Sequence, residues 1–238
     1  MAPPVRPPLP PWDLNLVLSV LQGAPFEDIR KIPLFTLSQK VFFLVAITSI
    51  RRVSELAALS CKAPYLVIHK DKVVLRPQPS FLLKVVLAFH INEDIVLPSL
   101  CPQPKNPKEA TLHSLDVVRA LRVYLSATAP FRMSDSLFVS VSGPSKGLAV
   151  SSATISRWIR QVVLQAYALK GRAPPFRVTA HSTRTIGPSW AFRHPASVLQ
   201  VCKAATWSSV HTFSKFYKVD VSASSDASFG RRVLQAAV

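Results

Sequence analysis

The sequence predicts a mainly α-helical domain with a small antiparallel β-sheet, an α+β fold. Several segments repeat apolar residues at the helical period, and three short β-like segments follow one another close to the first third of the chain. Hydrophobic residues make up 49% of the 238 residues, and a chain of this length and composition can bury a substantial core.

The first helices have clear boundaries. Asp13 is placed to cap a short helix, LNLVLSVLQ, which Gly23 ends. A second helix begins near Thr36, and after a break at residues 48–51 the segment RVSELAAL continues it. One face of this second helix is apolar: Leu37, Val41, Phe42, Val45 and Ala46.

The remaining elements follow in order. YLVIH, KVVLRP and DIVLP are predicted strands, and CPQPKNPKEATLH is interpreted as an insertion before a helix that starts near Ser114. SSATISRWIRQVVLQAYALKG has the clearest helical period, with Ser152 as N-cap and Gly171 as terminator. Three short helices are expected around residues 181–192, 197–205 and 209–217.

The domain organisation is predicted from composition. Residues 1–11 are expected to form a flexible, proline-rich leader, residues 12–221 one folded domain, and residues 222–238 a loose tail.

The charge balance restricts the partner. Lysine and arginine number 29 against 12 acidic residues, a formal charge of +17, which indicates a polyanion: nucleic acid or an anionic membrane surface. The longest apolar run, VFFLVAITSI, is far shorter than the roughly 20 residues of a spanning helix, which disfavours a membrane. Three widely spaced cysteines and the histidine spacing predict no disulfide framework, metal, cofactor or small-molecule ligand, and favour a reducing compartment such as the nucleus.

Several short motifs carry weak signals when taken singly. RRVSEL places Arg52 one helical turn before Glu55, which is also typical of an ordinary salt-bridged face. AHSTRT places His181 and Arg184 on one helical face, and Tyr217 in TWSSVHTFSKFYK could be a core aromatic residue.

Their order along the chain is more informative. The series is an arginine, a lysine near the strands, a His-x-x-Arg pair, a tryptophan and a tyrosine: Arg52, Lys84, His181, Arg184, Trp207 and Tyr217. This order resembles the tyrosine recombinase (phage-integrase-like) catalytic domain. The segments WDLNLVLSVLQGAPFE, DKVVLRP, SLFVSVSGPSKGL, SSATISRWIR and KAATWSS are most similar to the recombinases of DIRS-like retrotransposons of animals. The resemblance covers about residues 12–221.

The resemblance implies cleavage and rejoining of DNA strands, and so site-specific recombination or integration of a mobile element, through a 3′-phosphotyrosyl intermediate on Tyr217. Arg52 and Arg184 would bind the phosphate, and His181 and Trp207 would donate further hydrogen bonds to it. It also implies double-stranded DNA as partner, a homo-tetramer on that DNA, and a nuclear location.

Two supporting assignments are less direct. Lys84, between two predicted strands, is the preferred acid for the departing 5′-oxygen, with Lys70 and Lys72 as competitors. Glu55 would support Arg52 without touching the substrate. One further set is a candidate DNA-binding face or, alternatively, an ordinary solvated surface: Arg157, Arg160, Lys170 and Arg172.

Two departures from the family pattern support an alternative function. Gly187 and Pro188 are expected to interrupt a helix, because proline in a helix interior costs about 3 kcal/mol. The interval from Trp207 to Tyr217 is longer than usual by one residue, with Phe216 at the usual place. Both features are compatible with a catalytically decayed DNA-binding module. An RNA-packaging or ribosomal protein is suggested by charge alone.

Overall fold

A computed structural model describes residues 10–81, 94–176, 178–193 and 200. Its helices are α1 (Leu14–Leu21), α2 (Leu34–Ser49), α3 (Val53–Ala57), α4 (Pro107–Ser114), α5 (Val117–Thr128), α6 (Ser152–Leu169) and α7 (Thr183–Arg193). The strands are β1 (Leu66–Ile68), β2 (Lys72–Leu75) and β3 (Ile95–Pro98), and 3-10 turns occur at Ala129–Phe131 and Ala180–Ser182. In these ranges no helix combines the length and the apolar character needed to cross a membrane.

The three strands form one antiparallel sheet in the order β1-β2-β3. Leu66 pairs with Leu75 across the first two strands, and Lys72 pairs with Pro98 across the second two. Alternate residues such as Val73 and Leu97 are buried, because one face of the sheet covers the core. The predicted small antiparallel sheet is confirmed.

Helix α2 lies at the centre of the fold. Most of its residues are buried, and it packs against α5, α6 and α7. Helix α1 packs on α6, and Asp13 caps α1 by accepting a hydrogen bond from the backbone N–H of Leu16 at 3.2 Å. The two predicted N-terminal helices and the break between α2 and α3 are confirmed.

Two helix starts differ from the prediction. Ser151, not Ser152, caps α6 by accepting from the Thr154 N–H at 3.2 Å. The stretch predicted to be an insertion contains α4, which Asn106 caps, and the next helix begins at Val117 after its cap Asp116, not near Ser114. Helix α4 buries none of its residues, so it lacks the apolar period by which sequence patterns reveal a helix.

The expected interruption at Gly187 and Pro188 is wrong. Helix α7 continues through both residues, with Pro188 in its interior. A Cβ atom at position 187 would stand 3.0 Å from the carbonyl oxygen of Ile47, so glycine allows α7 to approach α2 closely. The helices expected at 197–205 and 209–217, the leader up to residue 9 and the tail lie outside the described residues, apart from Gln200.

Candidate functional site

A cleft of about 840 Å³ opens between the junction of α2 and α3, the first half of α6, and the turn that precedes α7. We call it the arginine cleft. Its basic lining residues come from all three walls: Arg51, Arg52, Arg157, Arg160, His181 and Arg184. Among the residues that the structure describes, no aspartate or glutamate lines the cleft, so it is suited to an anion.

The first wall is a corner of the chain between two helices. Ile50 ends α2 in a left-handed conformation with φ of 59°, which turns the chain sharply before Arg51 and Arg52. A β-branched residue rarely adopts this conformation, and the cost is about 1–2 kcal/mol. The corner therefore holds a strained backbone beside two adjacent arginines.

Glu55 holds both arginines of the corner. Its Oε1 accepts a hydrogen bond from Nη1 of Arg52 at 3.2 Å, and its Oε2 lies 3.6 Å from Nη1 of Arg51. The Glu55 side chain is buried, whereas that of Arg52 remains 31% exposed. The structure thus places Glu55 against Arg52, as the predicted supporting role requires.

Arg51 is a cleft residue that the order of the motifs does not indicate. It is only 5% exposed and reaches Glu55 from the position four residues earlier. An arginine doublet placed three and four residues before a glutamate was the available signal, because both spacings bring side chains together on a helical face.

The second wall carries His181 and Arg184. His181 lies in the 3-10 turn Ala180–Ser182, and Arg184 lies in the first turn of α7 with 1% of its surface exposed. Burial lowers the pKa of His181, and the charges of Arg184 and then Arg52 lower it further. The lowered pKa favours the neutral form of the imidazole. Arg52 from one predicted motif thus lines the same cleft as His181 and Arg184 from another.

The third wall is the polar face of α6. Arg157 and Arg160 line the cleft from this helix, one turn apart. Lys170 and Arg172, at and beyond the helix end, are exposed and do not line it. The structure therefore divides the predicted DNA-binding set into two residues inside the cleft and two outside it.

Three predicted site residues, Lys84, Trp207 and Tyr217, lie outside the described residues, and their roles stay predictions. Of the competing lysines, Lys70 lies in the turn between β1 and β2 and Lys72 begins β2, and neither lines the cleft. Within the described ranges, no three histidine, cysteine or acidic side chains are grouped as metal ligands would be.

The arrangement suits a phosphate group. A guanidinium presents planar, paired N–H donors that match two oxygens of a phosphate. Arg184 is held by burial and Arg52 by Glu55, so these donors need little rearrangement when an anion arrives. A neutral imidazole can add one N–H donor.

No protein-family model and no curated protein matches the chain. Solved structures do match. A XerA recombinase aligns with a TM-score of 0.58 and 18% identity over 98% of this chain and 66% of its own. A XerH site-specific recombinase, bound to palindromic difH substrate in a post-cleavage complex, aligns with a TM-score of 0.54 and 14% identity over 96% of this chain and 53% of its own.

A lambda integrase dimer bound to a COC′ core site aligns with a TM-score of 0.50 and 12% identity over 91% of this chain and 49% of its own. The chain therefore spans two thirds or less of the length of these recombinases. Its architecture is that of the tyrosine recombinase catalytic domain, mostly helical with a small antiparallel sheet. The predicted fold class is confirmed.

Proposed function

We propose that this chain is the catalytic domain of a DNA recombinase that cuts and rejoins strands through Tyr217. The observation that carries the proposal is the meeting of Arg52, His181 and Arg184 in one basic cleft. The fold, which resembles those of the XerA and XerH recombinases, supports it.

The chemistry is a transesterification. The Tyr217 hydroxyl loses its proton to water as its oxygen attacks the phosphorus, a 3′-phosphotyrosyl ester forms, and the bond to the 5′-oxygen breaks. Lys84 protonates the departing 5′-oxygen, and Arg52 and Arg184 donate to the nonbridging oxygens on which negative charge accumulates. The phosphoester energy is retained, so attack by a 5′-hydroxyl reverses the step and rejoins the strand.

Double-stranded DNA is the partner that we propose. Arg157 and Arg160 extend the basic lining of the cleft along α6, where they would contact phosphates beside the scissile one. The XerH structure contains difH substrate, and the lambda integrase structure is a dimer on a core site. We propose by analogy that this chain also assembles on DNA, as a homo-tetramer.

The origin in a DIRS-like mobile element, its integration as the biological outcome and the nuclear location are also proposals. They rest on the motifs that the sequence shares with those elements and on the formal charge of +17.

Adduct trapping tests the proposal directly. The purified protein is incubated with a pool of nicked suicide duplexes, and complexes that survive SDS are isolated and their DNA sequenced. Wild type is expected to form a covalent adduct. Tyr217→Phe is expected to abolish it with DNA binding nearly intact, because the substitution removes the reacting hydroxyl oxygen and retains the ring. Tyr65→Phe is the matched control and should leave the adduct unchanged.

The outcomes separate the two candidate functions. An adduct that persists in Tyr217→Phe would assign the nucleophile to another residue. Binding without any wild-type adduct would favour the decayed DNA-binding module. One observation that favoured decay is now weaker, because α7 continues through Gly187 and Pro188.

A further inference from the structure

The residue that precedes the N-cap of α1 is hydrogen-bonded to the turn that carries His181. The indole N–H of Trp12 donates to Oγ of Ser182 at 2.7 Å, across 170 positions of sequence. Both side chains are buried, with exposures of 2% for Trp12 and 6% for Ser182. Ser182 is the immediate neighbour of His181, and α7 with Arg184 begins directly after it.

A second hydrogen bond connects Ser182 to the arginine cleft. Oγ of Ser182 donates in turn to the carbonyl oxygen of Thr179, a residue that lines the cleft. Oγ1 of Thr183 donates to the carbonyl oxygen of Ala180 at 2.8 Å and closes the same turn. An indole can only donate, whereas a serine hydroxyl both accepts and donates, so the chain runs in one direction from Trp12 to Thr179.

Trp12 is itself held by the core. Its ring lies 5.9 Å from that of Phe43 on α2, centroid to centroid. The next residue, Asp13, donates its backbone N–H to the Tyr167 hydroxyl on α6 at 2.8 Å. The packing of the Trp12 ring on Phe43 therefore connects the turn to α2, whereas the Tyr167 hydrogen bond holds only the backbone of the following residue.

We propose that Trp12 is a positioning residue for strand cleavage, whose indole N–H fixes the turn that directs His181 and Arg184 into the cleft. The proposal rests on the proposed recombinase function for its effect on rate. The described contacts assign it a second effect, on the placement of His181, that does not depend on activity.

The rate is tested with two small substitutions. Trp12→Phe keeps an aromatic ring but removes the donor, and Ser182→Ala removes the acceptor. Each is expected to slow single-turnover adduct formation by about 10- to 100-fold at saturating DNA, because misplacing a catalytic group by about 1 Å can cost 10²-fold. The DNA dissociation constant is expected to stay within about twofold. The double variant should be no slower than the slower single variant, since both remove one interaction.

Tyr167→Phe is the matched control. It removes the other hydrogen bond of the same segment, the one from Asp13, without touching the turn. It is expected to keep the wild-type rate. A melting temperature measured for each variant shows whether the N-terminal segment remains docked.

An NMR titration of His181 supplies the readout that does not depend on activity. Burial and the charges of Arg184 and Arg52 lower the pKa of His181, and Arg157 and Arg160 face the same cleft. Loosening the turn should raise this pKa toward its ordinary value in Trp12→Phe and Ser182→Ala, but not in Tyr167→Phe.

Adduct formation and the pKa of His181 together distinguish a failure of the positioning role of Trp12 from a failure of the proposed recombinase function. A raised pKa with no adduct from wild type would keep Trp12 as the residue that places His181 and would overturn the recombinase function. An unchanged pKa and rate in both variants, with a melting temperature lowered as much as in Tyr167→Phe, would overturn the inference and leave Trp12 as a structural anchor.

Discussion

Two groups of charged side chains, each with a buried member, differ in how they are balanced. The first, which we call the neutral cluster, consists of Glu27, Asp28, Lys40 and Arg119. Lys40 is fully buried and donates to Glu27 and to the carbonyl oxygens of Leu21 and Phe26. Arg119 donates to both Glu27 oxygens at 3.0 and 3.1 Å, and one Nη atom lies 3.9 Å from Asp28. Two carboxylates face two cations.

The arginine cleft has no such balance. Glu55 lies between Arg51 and Arg52, and Arg184, Arg157 and Arg160 add positive charge to the lining. Among the described residues, five arginines against one glutamate leave an excess of positive charge at the cleft, which suits it to an anion. The comparison shows that buried charge alone does not identify a binding site. Charge of one sign that lines a cleft is the better indication.

The largest effect is expected from breaking the neutral cluster. Glu27→Gln leaves Lys40 and Arg119 without their shared counter-charge, and removing one partner of a buried pair costs about 3–5 kcal/mol. The free energy of unfolding is measured by urea denaturation. Asp28→Asn is the control: its carboxylate is exposed, so the cost should be about 0–1 kcal/mol. A Glu27→Gln loss as small as that of Asp28→Asn would show that the cluster does not stabilise the fold.

Arg184 should affect cleavage more than binding. In the proposed reaction Arg184 donates to the charge that develops on the phosphate, so Arg184→Ala should reduce adduct formation about 10²–10³-fold, equivalent to about 2.7–4 kcal/mol. DNA affinity should fall as well, but less. Single-turnover rates and binding isotherms measure both.

Two lysine substitutions refine this prediction. Arg184→Lys keeps the charge without the planar pair of donors, so it should restore affinity more than rate. Arg119→Lys makes the same change in the neutral cluster, and it should lower stability while leaving the rate of the folded protein unchanged. Equal loss of rate in both variants would contradict the distinction between the two groups.

The neutral cluster should also produce a pH dependence of stability. Burial lowers the pKa of Lys40 to about 8 from 10.5, although the hydrogen bond and the charge of Glu27 oppose the shift. Between these two values the unfolded chain binds the proton that the folded chain has released. The free energy of unfolding should therefore rise with pH from about 8 to 10.5. Below that window both states hold the proton, so Lys40 should add no pH dependence.

Lys40→Met isolates this contribution, because every other titrating group is retained. The difference between wild type and variant in urea denaturation at pH 7.5, 9 and 10 should change with pH in the stated direction. A difference that is constant, or that falls, would show that Lys40 stays charged throughout.

The smallest expected effect concerns salt. Each phosphate contact contributes about 0.9 to the slope of log affinity against log salt concentration. Arg157→Ala and Arg160→Ala should each flatten the slope by about that amount, because both residues line the cleft. Lys105→Ala and Lys108→Ala, exposed and outside the cleft, are the matched controls. Slopes that respond equally in all four variants would indicate charge attraction without a defined site.

Sequence patterns predicted those elements that bury an apolar face. Helices α1, α2 and α6 and the three strands have such faces, whereas α4 has none and was missed. At α7 the low helix propensity of Pro188 predicted an interruption, whereas the helix continues through Pro188 and Gly187 packs closely on α2. Propensity is a weak prior that tertiary packing overrides.

The site was predictable in part for a different reason. Motif order selected Arg52, His181 and Arg184, which the structure brings into one cleft. The same order could not reveal Arg51, whose part depends on the burial of Glu55, or separate Arg157 and Arg160 from Lys170 and Arg172. The spacing of the arginine doublet before Glu55 does indicate a contact with Arg51, but burial and the limits of the cleft are properties of the packed chain.

The close approach of Gly187 to Ile47 affects how accurately the distance between the arginines of the cleft is set. Ile47 lies in the last turn of α2, just before the corner with Arg51 and Arg52, and Gly187 lies one turn after Arg184. The guanidinium groups of Arg52 and Arg184 lie more than a hundred positions apart in sequence. Both are thus positioned relative to one contact, that between Gly187 and Ile47. Their separation therefore depends on two short stretches of chain, the corner after Ile47 and the first turn of α7, and not on the long segment between them. A methyl group at position 187 would move that contact by a few tenths of an ångström.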